Sequence, residues 1–134
     1  MLENFLGVLA PLVGKCFVAT MSPGVTDTHC FKPLYDGQHI EDRHVVTQDG
    51  KAAYEGLSIY SATPEGLFLT YVNSTGGSGY GTAKVEGGSF TYQMTMRGEA
   101  ASPANPYNGR WTIRATGYDV DVPGQATRTY APAQ

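Results

Sequence analysis

Residues 57–97 read LSIYSATPEGLFLTYVNSTGGSGYGTAKVEGGSFTYQMTMR, and this stretch decides the fold class. Glycine and proline interrupt it at short intervals, and the pieces between them are rich in Tyr, Thr, Val and Phe. β-Branched and aromatic residues favour strands, whereas Pro-Glu-Gly and Gly-Gly steps favour tight turns. The stretch therefore predicts four antiparallel strands joined by hairpins.

Turn-forming residues also interrupt the rest of the chain. The whole chain of 134 residues contains 17 Gly, 8 Pro and 9 Tyr. Further turn signals fall at residues 22–24, 36–37, 49–50, 116–117 and 123–124. These turns leave about ten short strands. A closed barrel or a sandwich accommodates so many meandering strands without long exposed edges. We therefore predict an all-β fold, a closed antiparallel up-and-down β-barrel of about 8–10 strands.

An apolar segment precedes the first predicted strand. Its spacing over residues 3–12 predicts a short N-terminal helix that covers the core. The chain length suits one hydrophobic core, so we expect residues 1–134 to form a single domain. A signal peptide begins with positive charge, and no Lys or Arg precedes the apolar residues here. We therefore expect a cytoplasmic protein.

The charge balance limits the partners. The net charge is -3 and the pI is about 5.5, which argues against a protein that binds nucleic acid through its phosphates. No apolar run approaches the roughly 20 residues of a membrane span, so we expect no membrane partner.

The two cysteines, Cys16 and Cys30, are too few for a disulfide scaffold or a four-cysteine zinc site. The turn at residues 22–24 places them opposite each other on neighbouring strands. A cross-strand disulfide is geometrically possible there. A cytosolic location favours two reduced thiols instead.

The predicted turns also fix which residues oppose each other. Residues 63–66 serve as a four-residue turn, and residues 76–77 and 87–88 serve as two-residue turns. Cross-strand partners share a face of the sheet, so one face becomes apolar and the other mostly polar. The polar face carries Tyr60, Tyr71 and Tyr80. The apolar face, which we predict to be the interior, comprises Leu57, Ile59, Phe68, Thr70, Val72, Gly81, Ala83, Val85, Phe90, Tyr92, Met94 and Met96.

A row of ionisable residues joins this interior face on the preceding strands. A two-residue turn at residues 49–50 sets His44 opposite Glu55, and the turn at residues 36–37 sets His29 opposite His44. Asp42 points inward as well. Buried carboxylates and imidazoles cost several kcal/mol unless they are paired or wetted. The row is therefore an internal hydrogen-bonded network, the polar end of a ligand pocket, or a catalytic or metal site.

Three short segments carry a resemblance to a known family. They are LAPLVGKC at residues 9–16, Asp36-Gly37, and Tyr54-Glu55-Gly56-Leu57. The chain resembles calycin-type, lipocalin-like β-barrels, especially small bacterial ones of uncharacterised function. The resemblance implies a barrel with an internal binding cavity and implies no particular ligand. The family's Trp at the position of Cys16 plugs the barrel base and would place Cys16 inside, whereas the turn register places Phe17 inside.

Our first hypothesis for function is a binding protein for a small hydrophobic or amphipathic molecule. The loop at residues 98–109 would gate the barrel mouth, and no motif calls for a cofactor or a resident metal. The ligand-binding residues that we predict are the apolar walls Phe68, Tyr92, Met94 and Met96 and the polar end His29, His44 and Glu55.

Two other hypotheses come from different classes. One is an enzyme that uses His44, Glu55 and His29 for acid–base chemistry of the lyase or isomerase type, or a haem or metal site with His29 or His44 as ligand. The other is a filled barrel whose exposed tyrosines, Tyr60, Tyr71 and Tyr80, form an interaction or homodimer face.

Overall fold

The computed structural model describes residues 4–98 and 107–133, and these residues form a closed antiparallel β-barrel of ten strands. Each strand pairs with its neighbours in sequence, and β1 pairs with β10 to close the barrel. The all-β, up-and-down barrel predicted from the turns is therefore confirmed. The strands are β1 (Cys16–Ser22), β2 (Val25–Leu34), β3 (His39–Gln48), β4 (Lys51–Ala62), β5 (Leu67–Asn73), β6 (Ser78–Glu86), β7 (Ser89–Arg97), β8 (Tyr107–Arg114), β9 (Gly117–Asp121) and β10 (Arg128–Pro132).

A short 3-10 helix, Phe5–Leu12, covers the end of the barrel at which β1 begins. The Asn4 side chain caps this helix by accepting a hydrogen bond from the backbone of Leu6. Leu6, Leu9 and Leu12 recur every three residues, the period of a 3-10 helix, and all three are fully buried. The predicted N-terminal helix is thus confirmed. No helix that the structure describes is long and apolar enough to cross a membrane.

The core next to this helix is aromatic. Phe17 and Phe31 pack edge-on against Tyr118, whose ring stacks between those of Trp111 and Tyr130. Because Phe17 lies inside, the register predicted for β1 is correct. The family resemblance implied that Cys16 lies inside, and that expectation is wrong.

A disulfide joins β1 to β2 through Cys16 and Cys30, which are directly opposed as the turn at residues 22–24 predicts. The expectation of two reduced thiols is therefore wrong. Both residues are half-buried and lie on the opposite face of their strands from Phe17 and His29.

The loop between β5 and β6 is longer than predicted. Val72 pairs with Ser78, so the loop has five residues instead of two. The side chain of Asn73 organises it, because its Oδ1 accepts hydrogen bonds from the backbone of Thr75 at 3.1 Å and of Gly77 at 2.8 Å. The predicted register of β5 against β6 is wrong by an odd number of residues, which reverses the faces of β5.

A β-bulge interrupts the pairing of β3 with β4. Val46 pairs with Tyr54, whereas Thr47 pairs with Ala52, so that Ala53 is an extra residue on β4. One extra residue exchanges the inner and outer faces of the strand beyond it. The predicted faces of β4 are therefore reversed too, while those of β1–β3 and of β6–β7 are correct.

These two irregularities reverse eight of the predicted positions. Four of them were predicted to be interior and lie on the outer face: Leu57, Ile59, Thr70 and Val72. The other four belong to the predicted site or to the predicted tyrosine face. Glu55 is exposed on the outside, and Phe68 also lies on the outer face with 37% of its surface exposed. Tyr60 is instead buried inside the barrel, and Tyr71 also faces inward. The exposed tyrosine face predicted for the third hypothesis is wrong for Tyr60 and Tyr71, and Tyr80 alone of the three is on the outside.

Candidate functional site

Two Asp-x-His pairs lie side by side on β2 and β3 and point into the barrel. Asp27 and His29 belong to β2, and Asp42 and His44 belong to β3. Residues two apart on a strand share a face, so each pair projects inward together. His29 is directly opposite His44, as the turn at residues 36–37 predicts, and the two rings stack 4.7 Å apart.

His29 lies between two carboxylates. Its Nδ1 is 2.7 Å from an oxygen of Asp42, and its Nε2 is 2.9 Å from an oxygen of Asp27. A neutral imidazole has one N–H, so the two contacts are both satisfied when His29 is an imidazolium. Burial by itself lowers the pKa of His29, but the negative charges of Asp42 and Asp27 outweigh it and raise the pKa to about 9. His29 is therefore a buried cation at neutral pH.

The two carboxylates have further donors. Tyr60 donates to Asp42 at 2.9 Å, and Tyr130 donates to Asp27 at 2.6 Å. Asp27 also contacts Nδ1 of His44 at 2.9 Å. Burial by itself raises the pKa of Asp27, but the hydrogen bonds from His29 and His44 outweigh it and hold the pKa well below its usual range. Asp27 is therefore an acceptor at neutral pH.

The charge on Asp27 sets the direction of a chain of hydrogen bonds. Because a carboxylate only accepts, Nδ1 of His44 carries the proton, and Nε2 of neutral His44 is a bare acceptor. Nε2 lies 3.2 Å from the hydroxyl of Tyr71, which must then donate to it. The hydroxyl of Tyr54 is 2.5 Å from that of Tyr71 and donates in turn. The chain runs from Tyr54 through Tyr71 to His44.

Gly56 makes room for this chain. It is the residue of β4 opposite His44, and a Cβ atom at this position would collide with Nε2 of His44 and with the hydroxyl of Tyr71. The close approach of the two side chains therefore requires glycine here.

A cavity of about 120 Å³ lies beside the chain, within the barrel. Its polar side is formed by the Asp-x-His pairs, Ser58, Tyr71, Tyr130 and Arg128, and the remaining wall is aromatic or apolar. Tyr107 begins β8 and Arg128 begins β10, so both lie at the end of the barrel opposite the helix. The residues of the apolar and aromatic wall are Tyr60, Leu69, Phe90, Tyr92, Met94, Met96, Tyr107, Trp111 and Val120.

The structure brings together five of the seven predicted ligand-binding residues. His29, His44, Tyr92, Met94 and Met96 line the cavity. Glu55 and Phe68 do not, for the reasons of register given above. The gating loop predicted at residues 98–109 falls largely at residues 99–106, outside the described part of the chain.

Sequence reasoning missed several residues of the site. The sequence analysis predicts that Asp42 points inward but gives it no hydrogen-bonding role, and it assigns no site role to Asp27. Tyr71 and Tyr60 had been placed outside, and Arg128 had not been considered for the site. The repeated Asp-x-His spacing on adjacent strands was the available signal for the carboxylates.

The geometry favours a hydrogen-bonded network over a metal centre. Asp27, His29 and His44 offer ligand atoms within 4.8 Å of one another. The two imidazole rings, however, stack with an interplanar angle of only 18°. A nitrogen lone pair lies in the plane of its ring, so an ion held in the plane of one ring would lie out of the plane of the other. The size of the cavity likewise argues against a haem.

No model of a known protein family matches this sequence, and no curated protein sequence matches it either. The function must therefore be argued from the cavity and its side chains.

Proposed function

We propose that the protein binds a small, compact molecule, with an apolar body and one polar end, inside the barrel. The single observation that carries the proposal is the division of the cavity wall. Aromatic and methionine side chains form one side, and convergent hydrogen-bonding groups form the other. Small-molecule sites in proteins commonly have this design.

The size of the cavity sets the size of the ligand. Its volume of about 120 Å³ is below the roughly 300–1,000 Å³ of pockets for drug-sized ligands. It is close to the roughly 150 Å³ of an engineered apolar cavity that holds one benzene molecule. A single aromatic ring or a short branched chain therefore suits it, whereas a long acyl chain or a porphyrin does not.

The polar side explains why the ligand needs a polar end. His29 has both ring nitrogens occupied by carboxylates, so it has no free donor for a ligand. The hydroxyl of Tyr71 lines the cavity, and it has one acceptor position left after it donates to His44 and accepts from Tyr54. An apolar ligand leaves this position unpaired, at a cost of up to about 1–3 kcal/mol. A ligand hydroxyl at this point can donate to Tyr71 and avoids that cost.

One general feature supports the same proposal, and another bears on the location of the protein. The resemblance to lipocalin-like barrels favours it, since an eight-stranded barrel of that type holds one small ligand and a barrel widens with strand number. The Cys16–Cys30 disulfide bears on location, because disulfides persist in oxidising compartments. We therefore favour such a compartment over the cytoplasmic location expected from the sequence.

Trp111 provides the test, because it is the single tryptophan of the chain and lines the cavity. Titration with 4-nitroanisole, an aromatic ether that quenches indole fluorescence, should give saturable quenching with one site per chain. Native mass spectrometry of the freshly purified protein should show any copurifying molecule as a mass difference from the denatured protein. Quenching that rises linearly without saturation would contradict the proposal.

A matched pair of variants locates the site. Ser58 lies in the cavity wall, so Ser58→Phe fills the cavity and should abolish saturable quenching. Thr91 is exposed on the outer face of β7, and Thr91→Phe should leave the titration unchanged. Circular dichroism of both variants establishes that the barrel is intact. Equal quenching in the two variants would place binding outside the cavity.

A further inference from the structure

The hydroxyl of Tyr71 lies where a bound molecule meets the hydrogen-bond chain. Tyr71 lines the cavity, donates to Nε2 of His44 and accepts from Tyr54. A hydroxyl oxygen has two acceptor positions, and Tyr54 uses one of them. The second can accept a hydrogen bond from the O–H group of a molecule in the cavity. Behind Tyr71, the neutral imidazole of His44 is a base whose tautomer is fixed by Asp27.

We propose that the ligand is a weak acid with an ionisable hydroxyl, a phenol or an enol, and that His44 takes up its proton. This inference rests on the proposed function, because it names the ligand class of the same cavity. In this proposal His44 is the base that accepts the proton. Asp27 is a positioning residue, because it holds the imidazole as the Asp of a hydrolase triad does.

The step conserves protons, because each proton that leaves one oxygen is taken up by the next group in the chain. The ligand O–H bond breaks and its proton passes to the oxygen of Tyr71, while the original proton of Tyr71 passes to Nε2 of His44. The products are an imidazolium at His44, a neutral Tyr71 and a ligand oxyanion. Tyr71 then donates to the oxyanion and accepts from both Tyr54 and His44. Each polar atom in the chain keeps a partner before and after the transfer.

The charges around His44 suit this exchange. On β2, Asp27 favours a positive charge on His44, and the cation His29 opposes it. The phenols of Tyr54 on β4 and Tyr71 on β5 also face His44. Burial together with Tyr54 raises the pKa of Tyr71 above its ordinary value, so Tyr71 is neutral at physiological pH. Two further groups face the same cavity from β10, the hydroxyl of Tyr130 and the guanidinium of Arg128.

Arg128 supplies the complement to a ligand anion. Its guanidinium lies 3.4 Å from the hydroxyl of Tyr130 and 3.3 Å from the sulfur of Met21. Asp27, His29, Asp42 and Arg128 together carry no net charge, because two anions face two cations. Transfer of a proton from the ligand to His44 leaves the net charge of the cavity unchanged. It creates a new ion pair, the ligand oxyanion and the His44 imidazolium, in the cavity that the Arg128 guanidinium also lines.

The test compares 4-nitrophenol with 4-nitroanisole, its methyl ether, which has the same ring but cannot ionise. 4-Nitrophenol absorbs at longer wavelength when ionised, so its spectrum reports its protonation state. At a pH one unit below the pKa of the free phenol, we expect the bound probe to show the phenolate spectrum. We also expect it to bind about tenfold more tightly than the ether, the gain of a charge-assisted hydrogen bond at the lower end of its range.

Variants separate the inference from the proposed function. His44→Gln should remove the phenolate spectrum and the tenfold preference, so that 4-nitrophenol and 4-nitroanisole bind this variant with similar affinity. Tyr71→Phe should do the same, and it leaves His44 in contact with Asp27. His39→Gln is the matched control, because His39 bonds to Ser61 on the outside of the barrel and should behave as the wild type.

Three results would overturn the inference. They are a neutral spectrum for bound 4-nitrophenol in the wild type, equal binding of phenol and ether, and a phenolate spectrum that survives in both His44→Gln and Tyr71→Phe. The first two leave the proposed function standing, since the ether still binds. If neither probe binds, the proposed function and the inference both fail.

Discussion

The two histidines that face each other across β2 and β3 differ in what their ring nitrogens contact. Both nitrogens of His29 meet carboxylates, whereas His44 meets one carboxylate and one phenol. The first environment holds a cation at neutral pH inside the barrel. The second places Nε2 of His44 against a phenol beside the cavity. The difference shows how one pair of Asp-x-His repeats can stabilise the fold at one histidine and leave the other available for chemistry.

The largest expected effect is the loss of the buried cation. His29→Gln leaves Asp27 and Asp42, which are 3% and 1% exposed, without their shared positive charge. Removing one partner from a buried ion pair costs about 3–5 kcal/mol of the free energy of unfolding. Urea denaturation at pH 7 measures this loss. His39→Gln, at the surface histidine, should cost less than about 1 kcal/mol. A loss of similar size in both variants would contradict the structural role of His29.

The second effect is the pH dependence of stability that the raised pKa of His29 produces. Its pKa is about 9 in the folded state, and an unfolded histidine titrates near about 6.5. Below pH 6.5 both states hold the proton, and the contribution of His29 is fully present. As the pH rises from about 6.5 to 9, the unfolded state releases its proton first, so the free energy of unfolding falls by about 3 kcal/mol.

Urea denaturation across this pH range measures the fall. The wild type should lose stability relative to His29→Gln as the pH rises. A flat wild-type profile between pH 6.5 and 9 would mean that His29 is neutral in the fold.

A smaller effect is expected at the other histidine. Gly56→Ala introduces a methyl group against His44 and Tyr71 and should cost about 1–3 kcal/mol, the usual range for overpacking. It should weaken the preference for 4-nitrophenol and leave the pH dependence due to His29 in place. Gly88→Ala is the control and should cost less, because the nearest neighbour of the added methyl group is the backbone oxygen of Ile113 at 3.2 Å. A changed pH dependence in Gly56→Ala would show that the two histidine environments are not separable.

The smallest effect concerns a buried hydroxyl outside the histidine network. Tyr118 is fully buried, and its hydroxyl has no hydrogen-bond partner among the residues that the structure describes. Tyr118→Phe should leave the free energy of unfolding unchanged or raise it by up to about 1 kcal/mol, since no hydrogen bond is lost. Tyr130→Phe removes the donor to Asp27 and should cost about 1.5–3 kcal/mol. Thermal or urea unfolding distinguishes them, and equal losses would mean that the contact with Asp27 contributes nothing.

Turn chemistry predicted most of the barrel. The glycines at residues 24, 37, 50 and 87 have positive φ, as the predicted turns require. The pairing of Phe17 with His29 and of His29 with His44 also follows from these turns. Sequence alone thus placed both histidines inside the barrel, facing each other.

Two local features could not be read from residue types. The bulge at Ala53 follows no glycine or proline signal, and the five-residue loop depends on hydrogen bonds accepted by the side chain of Asn73. Each reverses the parity of a strand, and the two reversals cancel beyond β4 and β5. Tyr71 and Phe68 exchanged places for this reason. The apolar face built from Leu57, Ile59 and Phe68 looked like a core, but these residues lie on the outside.

The protonation states of the two rings test the account most directly. Long-range ¹H–¹⁵N spectra of the histidine side chains at pH 7.5 report whether each ring nitrogen carries a proton. We predict that both nitrogens of His29 are protonated, and that His44 is neutral with its proton on Nδ1 and a bare Nε2. A neutral His29, or a His44 that carries its proton on Nε2, would contradict the assignment of a structural cation and a chemical base.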